Sequence, residues 1–84
     1  MKLVTWNINS VRLRINLLEK LCQEHLPDVI CLQETKTEDG TFPLEAIQKM
    51  GYEHVVYSGE KSYNGVAILS KHPISASFSL TIYN

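Results

Sequence analysis

The apolar residues of this chain recur at spacings that change from segment to segment, and each spacing predicts an element. Between Lys2 and Ile8, Val4, Trp6 and Ile8 share one parity and Leu3, Thr5 and Asn7 the other, so the segment reads as a buried strand whose apolar character fades at Asn7. From Ser10, an N-cap residue type, Val11, Ile15, Leu18, Leu21 and Cys22 follow helical spacing until Leu26 and Pro27 stop it. Asp28 to Gln33 reads as a second strand with apolar residues on both faces, the pattern of a parallel strand covered on both sides. Thr35 to Gly40 is polar and loop-like. Pro43 opens a short helix through Met50, with Gly51 as its natural stop. Glu53 to Ser58 and Gly65 to Ser70 read as an antiparallel hairpin with a long loop, Gly59 to Asn64. After Pro73, Ile74, Ala76, Phe78, Leu80 and Ile82 alternate with Ser75, Ser77, Ser79, Thr81 and Tyr83, which predicts a strand with one dry and one polar face.

A βαβ opening followed by antiparallel strands predicts a mixed sheet of the α+β class. Two parallel strands joined through a helix bring their carboxyl ends to one edge, where open α/β sheets bind ligands. Asn7 and Glu34 stand at those two ends. They are therefore expected to meet in space.

Composition narrows the picture. With 84 residues there is room for one small domain, and domains of this size bury only about 60–65% of the surface that the unfolded chain exposes, so stability is expected to be marginal. A hydrophobic content of 44% beside 20% charged residues describes a globular chain. No apolar run approaches the ~18 residues of a membrane span. Met1 to Val4 enters a strand directly, without the apolar core of a signal peptide, which predicts a cytoplasmic protein. Cys22 on the inner side of the first helix and Cys31 in the second strand match no zinc or CxxC spacing, and read as packing residues. A net charge of -1 excludes a generally basic nucleic-acid binder. Phosphate contacts would fall to a few placed cations, with Arg12, Arg14, Lys36 and Lys61 available.

A hard divalent cation such as Mg²⁺ takes oxygen ligands, keeps several waters and often uses one or two protein carboxylates. Glu34 fits that role. Asn7, uncharged, can hold a metal-bound water, a phosphate oxygen or the Glu34 carboxylate itself. Either residue alone reads as readily as a solvated acid or a turn former.

The pair gains meaning from its setting. Trp6 to Arg12 (WNINSVR), Pro27 to Lys36 (PDVICLQETK) and Ser62 to Ser70 (SYNGVAILS) closely resemble the N-terminal third of the exonuclease III family of abasic-site endonucleases, within the endonuclease/exonuclease/phosphatase superfamily. The resemblance runs nearly continuously from Met1 to Ile74. It implies part of a four-layer α/β/β/α sandwich of the DNase I-like kind, with residues 1–84 forming the N-terminal part of that domain.

It further implies that Asn7 is an active-site asparagine positioning phosphate or water, that Glu34 binds Mg²⁺ (or Mn²⁺) with Asn7 beside it, and that Asn9, where some relatives carry Asp, is a further water or metal contact. Arg12 and Lys36 match basic positions near the DNA backbone, Tyr63, Asn64 and Gly65 match a loop that touches DNA, and Lys61 is a further cation there. Tyr63 reads equally as a packing residue. The implied partner is double-stranded DNA with abasic sites or 3′ ends, and the implied reaction is phosphodiester hydrolysis in base-excision repair. The family's catalytic Asp and Asn pair, its active-site Tyr and its closing Asp and His have no counterparts in this chain, and His25, His54 and His72 read as structural or solvated. The expectation is an N-terminal fragment, inactive alone and prone to self-association through the apolar face of Ile74 to Ile82. A non-catalytic α/β remnant or interaction module is the alternative.

Overall fold

Residues 1–60 and 63–74 are described by a computed structural model. The strand expected over Ile74 to Ile82, apart from its first residue, and Lys61 lie outside the described residues. The elements run β1 (Leu3–Asn7), α1 (Ile15–His25), β2 (Val29–Gln33), a 3₁₀ turn (Asp39–Thr41), α2 (Leu44–Lys49), β3 (His54–Glu60) and β4 (Tyr63–Ser70). One mixed sheet has the order β1-β2-β4-β3, with β1 parallel to β2 and β4 antiparallel to both β2 and β3. The α+β class and the βαβ opening expected from the sequence are therefore present. No helix among the described residues is long and apolar enough to cross a membrane.

Register explains the core. Trp6, Leu32, Ala67 and Tyr57 lie in one row across the sheet, and Val4, Ile30, Leu69 and Val55 in another. These two rows share the face on which Leu18, Cys22 and Ile47 of the helices pack, with Ile8, Val11, Phe42 and Tyr52 closing the cluster. Burying a side chain such as Leu18, Ile30 or Leu69 stabilises the fold by about 1.5–3 kcal/mol each. Phe42 stacks on Tyr57 with ring centroids 4.1 Å apart. The opposite face carries Leu3 and Thr5, both exposed, and Val29, Cys31, Val66, Ile68 and Val56, all partly exposed.

That asymmetry corrects two expectations. β1 is an edge strand with alternating exposure, rather than a buried one, and β2 is fully covered on one face only. An apolar residue on an open face leaves the same sequence pattern as one beneath a helix, so periodicity cannot tell them apart.

Boundaries shift for identifiable reasons. Helix α1 starts at Ile15, not after Ser10, because residues 11–14 form a turn: Ser10 Oγ accepts from the Leu13 amide (3.3 Å), and the Val11 amide is committed to the Thr35 carbonyl (3.0 Å). The polar stretch after Thr35 contains a 3₁₀ turn that its composition concealed. Gly51 follows α2 at φ +105°, the left-handed stop expected of it, its amide on the Gln48 carbonyl (3.0 Å). The long hairpin loop is absent, because β3 and β4 pair as far as Glu60 and Tyr63, with an irregularity between Ser58 and Glu60. A bulged extension carries polar residues that read as loop in sequence.

Candidate functional site

Asn7 ends β1 and Glu34 immediately follows β2. The parallel register sets Asn7 beside Gln33, so the two share a face, and a regular strand would send Glu34 to the other one. Glu34 instead adopts φ +52°, which breaks the pleat, and Asn7 Nδ2 donates a hydrogen bond to Glu34 Oε2. Topology brings the two strand ends together. The left-handed turn brings the two side chains together.

Left-handed backbone is concentrated here. Of the eight positive-φ residues among those described, Asn9, Ser10, Glu34, Lys36, Asn64 and Gly65 all lie at this edge. For the non-glycine members such a conformation costs on the order of 1 kcal/mol each, and clusters of strain of this kind occur at functional sites. Backbone hydrogen bonds hold it in place. The carbonyls of Glu34 and Thr35 accept from the amides of Ser10 (2.9 Å) and Val11 (3.0 Å), while the amides of Thr35 and Lys36 donate to the carbonyls of Gly65 (3.1 Å) and Asn64 (2.8 Å). Residues 34–36 are thereby stitched on one side to the end of β1 and on the other to the start of β4.

Lys36 lies 3.7 Å from Glu34 Oε1, so the carboxylate is flanked by a carboxamide on one oxygen and an ammonium on the other. Both members of the ion pair are about one third exposed, which keeps the pair open to exchange with solvent or a ligand. Arg14 Nη1 donates to the Asn9 carbonyl (2.6 Å) and braces the first loop, a task its sequence position did not reveal. Arg12, Asn9 and Asn64 are exposed. Tyr63 opens β4, and Gly65 sits at φ +91°.

Among the described residues, no three His, Cys, Asp or Glu side chains come together to hold a metal by themselves. The donors at this edge still suit a hard cation: a carboxylate in Glu34 and, because Asn7 uses Nδ2 toward it, a carboxamide oxygen in Asn7. Such a set fits an ion that keeps most of its waters and takes the rest of its shell from phosphate. The cysteines stand apart. Burial pushes the Cys22 and Cys31 thiols above their ordinary range, which suits packing and not nucleophilic chemistry.

Thr35 is the residue that sequence reasoning missed. It is fully buried between two left-handed neighbours, and its Oγ1 has no hydrogen-bond partner among the described residues. Nothing in the sequence string signals this, since it depends on how closely β4 approaches.

A short mixed sheet that gathers a carboxylate, a carboxamide and cations at the exit of its first two strands is the opening of a DNase I-like α+β fold. Residues 4–84 match the model of the Endonuclease/Exonuclease/phosphatase family, and the chain belongs to that family. It is similar to exodeoxyribonuclease III of Haemophilus influenzae, with 45% identity over 71 residues, covering 84% of this chain and 26% of that protein. Among solved structures it resembles a Neisseria 3′ phosphatase bound to a product DNA hairpin, with a TM-score of 0.80, 46% identity, and coverage of 84% of this chain and 27% of that one. It also resembles an AP endonuclease from Archaeoglobus fulgidus, with a TM-score of 0.81, 44% identity, and coverage of 92% and 30%. The chain spans about a quarter of the length of the curated relative.

Proposed function

We propose that this chain is the N-terminal portion of a magnesium-dependent, exonuclease III-like DNA phosphodiesterase acting at abasic sites or 3′ ends in base-excision repair. The observation that carries the reading is the Glu34 carboxylate, raised from the strand edge by a left-handed turn and held between Asn7 and Lys36. Glu34 is the metal carboxylate, and Asn7 orients it while offering its carboxamide oxygen to a water or phosphate. A Mg²⁺ ion bound there would neutralise charge on the scissile phosphate. Lys36, released from Glu34 when a cation arrives, is free to pair with a DNA phosphate. Arg12, from its exposed turn, and Asn64, at the start of β4, supply further backbone contacts, with Tyr63, Gly65 and Lys61 as additional contacts, while Asn9 is a further water or metal contact. These phosphate contacts position the duplex and do not read its sequence.

In-line hydrolysis also needs a general base and a group that stabilises the leaving oxygen, and none of the described residues at this edge is suited to either task. The 84-residue chain therefore holds one end of a catalytic site and does not cleave by itself. The test is Mn²⁺ binding, followed by water proton relaxation, alongside cleavage of an abasic duplex in Mg²⁺. The expected result is Mn²⁺ binding that Glu34→Gln abolishes, with no cleavage above background. Binding unaffected by Glu34→Gln would overturn the metal assignment, and Glu34-dependent cleavage by a monodisperse monomer would overturn the claim of inactivity.

A further inference from the structure

We propose that Gly65 is a positioning residue for the Glu34 carboxylate, fitted against the buried hydroxyl of Thr35. The inference rests on the reading of Glu34 as the metal carboxylate. Two properties of Gly65 are independent of each other. Its φ of +91° disfavours any side chain, and a Cβ at this position would overlap Thr35 Oγ1. Its next neighbours, Gly59 Cα and Lys36 N, would lie at 3.4 Å, close to ordinary contact. The Thr35 hydroxyl is thus the main obstacle to a side chain at residue 65.

The closeness has a purpose at the site. Because Gly65 lets β4 come down onto the turn, its carbonyl accepts from the Thr35 amide and the Asn64 carbonyl accepts from the Lys36 amide. Those two bonds bracket the segment in which Glu34 and Lys36 are both left-handed. Without them the turn would relax toward extended backbone, and the pleat would carry the Glu34 carboxylate away from Asn7. The same fit accounts for Thr35. Its hydroxyl is buried without a partner among the described residues, a costly arrangement that persists because the space Oγ1 fills is set by the approach of Gly65.

Gly51 provides an internal control. It has a similar φ, +105°, and a Cβ there would meet nothing within 4 Å, so Gly51→Ala imposes the backbone strain without the overlap. The experiment compares Gly65→Ala, Gly51→Ala, Thr35→Ala and the double variant Gly65→Ala/Thr35→Ala in the full 84-residue chain. The first readout is the Asn7 side-chain amide signal by NMR, calibrated against its position in Glu34→Ala, where the acceptor oxygen is gone. The second is Mn²⁺ affinity by water proton relaxation. Gly65→Ala is expected to move the Asn7 signal to the Glu34→Ala position and to weaken Mn²⁺ binding at least tenfold. Gly51→Ala and Thr35→Ala are expected to keep the wild-type signal and an affinity within about threefold, and the double variant to recover both readouts to that range.

A wild-type Asn7 signal in Gly65→Ala would overturn the proposal. Should Gly65→Ala not fold, the double variant decides, and its failure to restore the signal would equally overturn it. Absence of Mn²⁺ binding in the wild type would defeat the metal reading of Glu34, while the Asn7 signal, read without metal, still decides the role of Gly65.

Discussion

Strand β2 has a carboxylate at each end, Asp28 just before it and Glu34 just after it, and the two have similar exposure, at 31% and 36%. Their partners differ in kind. Asp28 Oδ2 accepts from the Lys2 backbone amide (2.6 Å), and its Oδ1 faces His72 Nε2 at 3.5 Å. Around it the Lys2 carbonyl accepts from Asp28 and Val29, the Asp28 carbonyl accepts from Lys71, and the Tyr52 hydroxyl donates to the Pro27 carbonyl at 2.6 Å. The shortest contact to this carboxylate comes from a backbone amide, which cannot leave, with the His72 side chain beside it. Glu34 is met by two side chains, a carboxamide and an ammonium, both able to move aside. A carboxylate committed to main-chain donors serves the fold, whereas one held by exchangeable side chains on a strained turn remains available to a ligand.

The largest expected effect separates these two roles directly. In a longer chain that carries this segment with a complete catalytic set, Glu34→Ala should cost about 3–4 kcal/mol of transition-state stabilisation, a loss of two to three orders of magnitude in rate, with little change in melting temperature. Asp28→Ala should do the reverse, lowering the melting temperature while leaving the metal dependence of the rate intact. Steady-state kinetics over a Mg²⁺ titration, with thermal denaturation alongside, checks both. A near-normal rate for Glu34→Ala at limiting Mg²⁺ would end the comparison.

Next in size is Tyr52→Phe. Burial, and after it the neighbouring Cys22, raises the ionisation of the Tyr52 hydroxyl well above the usual phenol range, so it remains a protonated donor to Pro27. Removing the hydroxyl leaves that carbonyl without its donor at a buried position, at a cost of about 1–3 kcal/mol. Denaturant unfolding should show that loss, and Mn²⁺ affinity should not change. A fall in affinity with stability preserved would mean that the two ends of β2 are coupled.

Arg12→Ala sharpens the ligand side of the contrast. Arg12 is exposed in the turn between β1 and α1, so its loss should leave stability within about 0.5 kcal/mol. In the longer chain it should reduce the salt dependence of DNA binding by about one unit of slope. An unchanged slope would remove Arg12 from the phosphate contacts.

Much of this molecule was legible because period and topology leave traces in the order of residues. The apolar runs around Trp6 and around Leu32, the helical spacing through Leu18 and Cys22, and the Gly51 stop give the mixed sheet and the meeting of two strand ends. The WNINSVR and LQETK segments supplied the family. The left-handed turns were not legible at Glu34 and Lys36, because neither residue type favours positive φ and the conformation is imposed by hydrogen bonds from strands distant in sequence. The partnership of Lys36 with Glu34, the brace from Arg14 to Asn9 and the burial of Thr35 arise from the same long-range approach. Asp28 read simply as the first residue of a strand, and its role depends on the Lys2 amide lying across from it.

The smallest expected effect belongs to that last carboxylate and is visible only in acid. The Lys2 amide, aided by the His72 side chain and the chain's amino group, holds the Asp28 carboxyl below its ordinary value of 3.8. A carboxyl with a depressed folded-state value binds fewer protons when folded than when unfolded in the window between the two values. Its stabilising contribution is therefore complete above that ordinary, unfolded value and is lost as the pH falls through the folded one. Asp28→Asn keeps an oxygen acceptor for the Lys2 amide but cannot titrate. Urea unfolding midpoints measured from about pH 6 down to about pH 2 should fall less steeply at the acid end for Asp28→Asn than for the wild type. Tyr52→Phe should instead lower the whole curve without altering its acid slope, because its hydroxyl does not titrate there. Identical acid slopes for Asp28→Asn and the wild type would show that the latch at the amino end of β2 is maintained by the backbone alone, with no share carried by the charge.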